Sequence, residues 1–325
     1  MACERNRNLS QHIERVKHIR TNGKKTAIQA NQRRYQLVSS HYAHALMAST
    51  SFSMPPLLLI HPVGVGLSSR FWDRFIRHWK KNDPKTVLLA PDLIGCGEAE
   101  CSLDPLTPND WAQPLVDVLN NCKESPAVLV AQGTTLPIAL ALQEKAPELV
   151  CGIVAISPPG WRVLHETFPV ELSKKLWRWL FQGPIGTLFY RYARRRNFLK
   201  SFSKKNLFAK AEAVDEEWLQ ALNEGSRKME SRWAVYSFLA GFWRRDWEPQ
   251  FTNLNLPLQV IFGSSATGIG RSRSWDDLEQ RIATYRRKLP DASIETIPGK
   301  NVLPYESPED CMNCVRNWLL SQRFN

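Results

Sequence analysis

Histidine is the side chain best suited to act as a general base near neutral pH, so the histidine positions limit the chemistry of this chain. They are His12, His18, His41, His44, His61, His78 and His165. No histidine follows His165, although about half of the chain does. A hydroxyl that lacks such a base is a poor nucleophile. Thr134 and Thr135, which follow an apolar run, are hydroxyls that would need such a base.

Carboxylates and thiols offer no alternative centre. Glu98 and Glu100 have no identifiable partner for paired acid–base chemistry, and Asp92 is expected to hold a loop in place. Cys311 and Cys314 form one C-x-x-C pair in a predicted last helix, without a second ligand pair or a strand-to-helix setting. The sequence predicts reduced cysteines, no metal and no cofactor.

The positive charge is concentrated in one segment. The net charge is +12, and between Lys174 and Lys210 there are eleven Lys or Arg and no acidic residue. This excess favours an anionic partner, either an anionic membrane surface or an acidic protein. Nucleic acid is disfavoured because no recognised binding module accompanies the segment. The alternative is that its aromatic residues pack on the core while the cations form a solvated face.

The N-terminal segment gives an expectation for the cellular location of the chain. Residues 1–23 form a basic extension that lacks the apolar stretch of a secretory signal, and no run of about 18 apolar residues predicts a membrane span. The chain is therefore expected to be cytoplasmic, with peripheral membrane association as an alternative. A plastid location is a further alternative, although Glu4 and Glu14 argue against a transit peptide.

Continuous apolar runs that end in Gly- or Pro-rich turns predict buried strands. These runs lie at 55–66, 86–97, 127–137, 151–160, 256–265 and 293–299. Two more strands are predicted within 24–38, around an Asn31-Gln32 turn. Helical spacing is found at 68–81, 108–122 and 136–147. This alternation predicts an α/β fold with a mostly parallel central sheet and helices on both faces.

The alternation stops between Trp161 and Gln250. The pattern there is helical, and the stretch holds seven of the twelve tryptophans. We interpret residues 161–250 as an inserted helical lid. It separates the two parts of the core, predicted at 24–160 and 251–325.

Four local motifs occur in an order that resembles the α/β-hydrolase fold with a helical lid. They are His61-Pro62-Val63-Gly64, Asp92-Leu93-Ile94-Gly95-Cys96-Gly97, the run from Val128 to Leu136, and the run from Ile297 to Pro304. The resemblance extends from about Lys24 to the C-terminus. The SPPGW turn and the tail also look like members of this superfamily from cyanobacterial and plastid lineages.

This resemblance implies a nucleophile, an acid and a histidine in that chain order, and each position departs from that pattern. Because no histidine follows His165, the resemblance also implies that catalysis by Thr134 or Thr135 is not expected. Gly133 occupies the nucleophile position, Ala266 the acid position and Val302 the histidine position. The resemblance also implies that the backbone N–H groups of Val63 and Thr134 could bind an oxygen, as in an oxyanion hole. His61 belongs to the same turn and is expected to support it or to contact a ligand.

The leading hypothesis is a catalytically silent protein that acts by binding. It would bind a small apolar, carbonyl or carboxylate ligand in a cavity between lid and core, or a partner surface through residues 174–210. One alternative is an active hydrolase of ester or C–C bonds with a relocated site. The other is a structural scaffold that docks through the basic lid.

Overall fold

The computed structural model describes residues 54–124, 126–268, 277–322 and 324. Its strands are β1 (Leu57–Ile60), β2 (Leu88–Leu89), β3 (Ala127–Gln132), β4 (Val150–Ile156), β5 (Leu258–Gly263) and β6 (Ser293–Ile297). The two strands predicted within 24–38 lie outside the described residues.

The helices of the core surround these strands. They are α1 (Asp73–Asn82), α2 (Pro108–Asn120), α3 (Leu136–Lys145), α11 (Leu278–Lys288), α12 (Leu303–Glu306) and α13 (Pro308–Ser321). Short 3₁₀ turns lie at Ser69–Trp72, Gly133–Thr135 and Pro147–Leu149. The predicted helices at 68–81, 108–122 and 136–147 are thus present, with slightly different ends.

All pairs in the six-stranded sheet are parallel, in the order β2-β1-β3-β4-β5-β6. A parallel sheet needs a crossover between neighbouring strands, and helices supply it here. The prediction of an α/β fold with a mostly parallel sheet and helices on both faces is confirmed.

The sheet separates two apolar cores, because successive side chains of a strand point to opposite faces. Leu58 and Ile60 of β1 join the core that contains Trp111 of α2. Leu57 and Leu59 join the core that contains Phe75 of α1. The four strand residues are fully buried, and each such side chain contributes about 2 kcal/mol to the stability of the fold. Continuous apolar runs are therefore required here, since both faces of the strand are covered.

Between β4 and β5 all regular structure is helical, and we call this segment, residues 157–257, the insert. Its α-helices are α4 (Trp161–His165), α5 (Val170–Lys175), α6 (Pro184–Ala193), α7 (Arg196–Phe202), α8 (Glu216–Gly225), α9 (Arg232–Leu239) and α10 (Glu248–Thr252). π-helical turns continue α5 at Leu176–Phe181 and α7 at Ser203–Leu207, and 3₁₀ turns lie at Ala211–Ala213 and Met229–Ser231. The predicted domain boundaries and the action of this segment as a lid stay predictions.

The insert has its own small apolar core and is also part of the larger ones. Trp177, Phe181 and Tyr190 pack with Tyr236 of α9 in a separate cluster. Trp218 of α8 belongs to the core on the α1 face of the sheet. No helix of the described residues is long and apolar enough to cross a bilayer.

Candidate functional site

Gly133 forms the sharp bend between β3 and α3. Its φ is +64°, in the left-handed region where glycine is favoured. A Cβ atom built on Gly133 would approach only the carbonyl oxygen of Ser157, at 3.8 Å. The bend therefore has the shape that would present a side chain above the sheet, and space for one, but glycine presents none.

The two threonines after the bend differ in exposure. Thr134 is partly exposed, whereas Thr135 is fully buried. The Thr135 hydroxyl donates to the carbonyl oxygen of Gln132 at 2.9 Å and lies 3.4 Å from that of Ile60. Its hydroxyl therefore satisfies backbone carbonyls of β1 and β3 and stabilises the turn.

His61 lies at the end of β1, is fully buried, and connects two loops. Its Nε2 accepts from the backbone N–H of Leu93 at 3.0 Å, which fixes the proton on Nδ1. Nδ1 then donates to the carbonyl oxygen of Pro62 at 2.9 Å. Burial lowers the pKa of His61, against the opposing effect of Asp92. The ring is therefore neutral near pH 7 and has no free nitrogen to contact a ligand.

Asp92 holds the loop after β2, as the sequence predicted. Its Oδ1 accepts from the N–H of Ser69 at 2.7 Å and its Oδ2 from the N–H of Glu98 at 2.9 Å. Burial alone would raise the pKa of Asp92, but His61 and these N–H donors outweigh that effect and lower it. Glycine is required at position 97, where φ is +54°, because a Cβ atom there would lie 2.3 Å from the Asp92 carboxylate.

Glu98 and Glu100 show no paired-carboxylate arrangement among the described contacts. The Glu98 carboxylate pairs with Lys228 of the insert at 3.0 Å. The backbone carbonyl of Glu100 accepts from the N–H of Gly95 at 2.8 Å. Both residues therefore contribute to loop structure.

A buried hydrogen-bond network that the sequence did not predict centres on Asn301. The side-chain amide of Gln132 donates to the Asn301 carbonyl oxygen at 2.7 Å. The Asn301 side chain donates to the carbonyl oxygens of Thr267 at 3.0 Å and Asn206 at 2.8 Å. Its backbone N–H donates to the Leu207 carbonyl at 3.0 Å. Asn301 thus connects β3, the loop after β5 and the insert.

This network brings the three predicted positions into one region. Gln132 precedes Gly133, Thr267 follows Ala266, and Asn301 precedes Val302. Ala266 and Val302 are both buried, and Val302 belongs to the apolar core on the α1 face. These hydrogen bonds therefore connect neighbours of Gly133, Ala266 and Val302, and the assignment of the three as the nucleophile, acid and histidine positions stays a prediction.

The backbone of the insert packs directly against the backbone of the turn after β1. A Cβ on Gly66, at φ +78°, would lie 2.0 Å from the carbonyl oxygen of Leu222 in α8. A Cβ on Gly225 would lie 2.3 Å from the carbonyl oxygen of Gly66. Val63, in the same turn, is buried. The convergence of the Val63 and Thr134 N–H groups on a ligand stays a prediction.

Ser157 has an unusual backbone conformation at the end of β4. Its φ of +47° is the only positive value among the described non-glycine residues. The side chain is buried, and its hydroxyl has no hydrogen-bond partner among the described residues. Strained residues of this kind are found most often near functional sites.

Two cavities stand out, and neither is lined by His61, Val63 or Thr134. One, of about 540 Å³, is an open basic groove on α7 and the π-helical turn after it, lined by Asn197, Lys200, Ser201, Lys204 and Lys205. The other, of about 320 Å³, lies where α4 meets α10 and α11. The groove belongs to the segment for which the sequence predicts an anionic partner.

Cys311 and Cys314 lie on α13, against the sheet. Burial raises the pKa of the Cys311 thiol well above its usual value and that of Cys314 to about 11. Both thiols are therefore protonated near neutral pH, the form that neither attacks nor binds a metal. Across the described part of the chain, no group of three or more His, Cys, Asp or Glu is arranged to hold a metal ion.

Comparison with known proteins identifies the family and the fold. The model of the α/β hydrolase family matches residues 57–313. A malate-bound thermophilic esterase from Thermogutta terrifontis is 17% identical, with a TM-score of 0.62 over 83% of this chain and 91% of that one. A mutant of the haloalkane dehalogenase DatA from Agrobacterium tumefaciens C58 is 19% identical, with a TM-score of 0.60 over 83% of this chain and 91% of that one.

A bromoperoxidase from Bacillus anthracis is 14% identical, with a TM-score of 0.62 over 83% of this chain and 93% of that one. No curated protein matches the sequence. Likeness at such low identity shows the fold alone, since one fold supports many activities. The family match covers most of the chain and agrees with the parallel sheet and its helical insert, so the chain belongs to the α/β hydrolase family.

Proposed function

We propose that this chain is a catalytically silent member of the α/β hydrolase family that acts by binding. The observation that carries this proposal is Gly133 at the strand-to-helix bend. In active members of this fold a side-chain oxygen at that bend attacks the substrate. Gly133 keeps the φ of +64° but offers no attacking atom.

The state of His61 supports the same proposal. A general base needs a nitrogen that can take a proton from the nucleophile. Both nitrogens of His61 are used by backbone groups, and burial lowers its pKa. Taking up a proton there would break the bond to Leu93 and place a charge in a buried site.

The Asn301 network supports the proposal of a silent protein through the loops after β5 and β6. In an active member the loops after β5 and β6 carry the acid and the histidine, whose contacts bind the loops to the bend. Here the backbone carbonyls of Asn301 and Thr267 accept hydrogen bonds in that region, while Ala266 and Val302 are buried and apolar. This arrangement favours a structural role for the loops.

Turnover of short-chain p-nitrophenyl esters tests the proposal. The unaltered chain should release p-nitrophenol no faster than the buffer does. A triple variant, Gly133→Ser with Ala266→Asp and Val302→His, restores the side chains that the family pattern requires, and any gained activity should depend on all three. Ester turnover by the unaltered chain above the buffer rate would contradict the proposal, and its loss or survival in His61→Gln would show whether His61 takes part in it.

A second candidate function is hydrolysis at a relocated site, and Ser157 is the observation that favours it. Its backbone is strained, its hydroxyl has no partner among the described residues, and its carbonyl oxygen lies 3.8 Å from a Cβ built on Gly133. No histidine is available after it except His165, which is exposed on α4. Ser157→Ala should leave a silent chain unchanged and would abolish turnover if Ser157 attacked the substrate.

Binding of a small carbonyl or carboxylic ligand at the vacant position is one form that the binding function could take. Gln132 Oε1 and the Ser157 hydroxyl are buried polar atoms without partners among the described residues. A protonated carboxylic acid could donate to the first and accept from the second. Thermal unfolding with millimolar butyric acid tests this: a midpoint that rises in the wild type but not in Gln132→Leu supports it, and an unchanged midpoint contradicts it.

A further inference from the structure

We propose that the outer surface of the insert docks on an anionic phospholipid bilayer. The surface consists of the exposed side of the π-helical turn Leu176–Phe181, of α6, and of α7 with its continuation to Leu207. This inference deepens the binding part of the proposed function, and the absence of turnover does not depend on it.

Helix α6 presents an apolar stripe to solvent. Ile185, Leu188, Phe189 and Tyr192 are 61, 63, 41 and 53% exposed. Their spacing of three, four and seven residues places them on one side of a helix. Such a stripe normally faces a core, but here Gly186, Tyr190 and Ala193 face inward instead. α6 therefore has two apolar sides, and the outer one is largely exposed to solvent.

Aromatic contacts extend this stripe into α7. The Tyr192 and Phe198 rings meet edge to face with centroids 5.1 Å apart. Phe198 stacks on Phe202 at 6.1 Å, and Phe202 is itself exposed. Trp179, in the π-helical turn before α6, is 76% exposed. Ten of the twelve large apolar side chains exposed in the described residues lie in the insert.

The inner side of α6 packs closely against the rest of the insert. The Tyr236 hydroxyl donates to the carbonyl oxygen of Gly186, and the Tyr236 ring stacks on Phe181 at 4.5 Å. A Cβ on Gly186 would lie 2.2 Å from the Phe181 carbonyl oxygen, so α6 sits as close to the preceding turn as glycine permits. Exposure of the stripe is therefore set by the packing of the insert.

The segment that carries the stripe is rich in cations, and most of them have no ion pair among the described residues. Of the eleven Lys and Arg between Lys174 and Lys210, two form ion pairs with described carboxylates, Lys174 with Glu171 and Arg196 with Glu216. The other nine have no such pair in the described part of the chain. Long cationic side chains beside an apolar surface can cover it with their stems while the charge meets lipid phosphates.

The basic groove is suited to a lipid headgroup. Lys200, Lys204 and Lys205 line it together with the polar side chains of Asn197 and Ser201, in a volume of about 540 Å³. Ammonium, amide and hydroxyl groups all donate hydrogen bonds to phosphate oxygens. The groove shares α7 with Phe202, so a headgroup bound there would have its acyl chains beside an exposed aromatic ring.

A bilayer accounts for both the cations and the exposed apolar side chains of this surface. An acidic protein would match the cations, but it would also need an apolar patch to cover Trp179, Ile185 and Leu188. Helices with Lys or Arg beside Trp, Phe and Leu lie in the plane of the membrane interface, where aromatic rings are favoured. The charge selects an anionic surface, and the apolar stripe enters it.

Sedimentation of the full chain with vesicles tests this inference. The vesicles are phosphatidylcholine alone, or equal parts of phosphatidylcholine and phosphatidylglycerol. Binding is expected to the anionic vesicles at low salt, much less at high salt because exposed charges are screened, and not to the neutral vesicles.

Two variants and two matched controls locate the contact. Lys200→Gln with Lys204→Gln and Lys205→Gln should weaken partitioning about fivefold for each charge lost. Ile185→Ser with Leu188→Ser should weaken it about tenfold. The controls are Lys81→Gln with Lys85→Gln and Lys123→Gln, and Leu103→Ser with Leu320→Ser. These exposed residues lie outside the insert and should leave partitioning unchanged.

Three outcomes would overturn the inference. They are the absence of binding to anionic vesicles, equal loss in the controls and the insert variants, and a self-associated chain whose oligomer dissociates in Ile185→Ser with Leu188→Ser. The last would assign the surface to a second copy of the chain. Near-ultraviolet circular dichroism of each variant confirms that it is folded. A negative vesicle result leaves the esterase result untouched, so the two proposals can fail separately.

Discussion

The side-chain amide of Gln132 donates a 2.7 Å hydrogen bond to the carbonyl oxygen of Asn301. The two residues are far apart in sequence, yet each is adjacent to a residue that the sequence comparison predicts to replace a catalytic one, Gly133 and Val302. In this chain a buried amide–carbonyl bond connects the bend to the loop after β6. The contact is structural, and its loss has a measurable cost.

Replacement of Gln132 by leucine should lower the free energy of unfolding by about 1–3 kcal/mol, because the Asn301 carbonyl loses its donor in a buried site. Urea unfolding measures this. Gln259→Leu is the matched control: Gln259 is also buried in a strand, but its side-chain bond to the Cys314 carbonyl is longer, at 3.3 Å. Equal losses in the two variants would contradict a special role for the Gln132 bond.

Glycine-to-alanine substitutions should separate backbone strain from steric conflict. Gly133→Ala places a methyl group in open space and should cost about 1–2 kcal/mol, from the positive φ alone. Gly66→Ala drives a methyl group against the Leu222 carbonyl and should cost clearly more, because backbone must move. The midpoints of thermal unfolding of the two variants measure this difference in stability. A larger loss for Gly133→Ala would show that the space at the bend is not open.

The buried His61 ring should make stability depend on pH below neutrality. Burial lowers the pKa of His61 in the folded chain, so below the ordinary value of 6.5 the unfolded chain binds the proton more readily. The contribution of the neutral His61 ring to the free energy of unfolding is complete above pH 6.5. It is lost as the pH falls toward the pKa of His61 in the folded chain, by up to about 1.4 kcal/mol per pH unit.

Urea unfolding at about pH 7.5 and about pH 5.5 measures this loss. His61→Gln removes the titrating group and should show a smaller decrease in stability than the wild type. His78→Gln, on the partly exposed side of α1, should behave as the wild type. Identical pH dependence in the wild type and His61→Gln would contradict the neutral, buried state of this ring.

The sequence was sufficient to predict the core elements, because strands buried on both faces must be continuously apolar and must end in turns. Leu57–Ile60 and Ala127–Gln132 are examples. The resemblance of its loop to the family motif also predicted the loop-fixing role of Asp92. The Gln132–Asn301 bond could not be predicted, because a contact between distant segments leaves no local pattern.

The insert shows a second limit. In α6 the apolar residues at 185, 188, 189 and 192 have the spacing of a buried face, yet they are exposed, and Gly186, Tyr190 and Ala193 face inward. Periodicity predicts that such a helix has an apolar side but does not say which neighbour covers it. In the same segment Trp177 and Phe181 pack inside while Trp179 protrudes, and the choice between the two interpretations left open by the sequence stays a prediction.

Covalent labelling tests the silent site most directly. The full chain is incubated with a fluorophosphonate probe that reacts with activated serine or threonine hydroxyls, and the intact mass is then measured, with a catalytically active serine hydrolase as the positive control. Because Gly133 has no side chain and His61 has no free nitrogen, we predict no adduct. A stoichiometric adduct that peptide mapping places on Ser157, Thr134 or any other hydroxyl of the site would contradict the proposal.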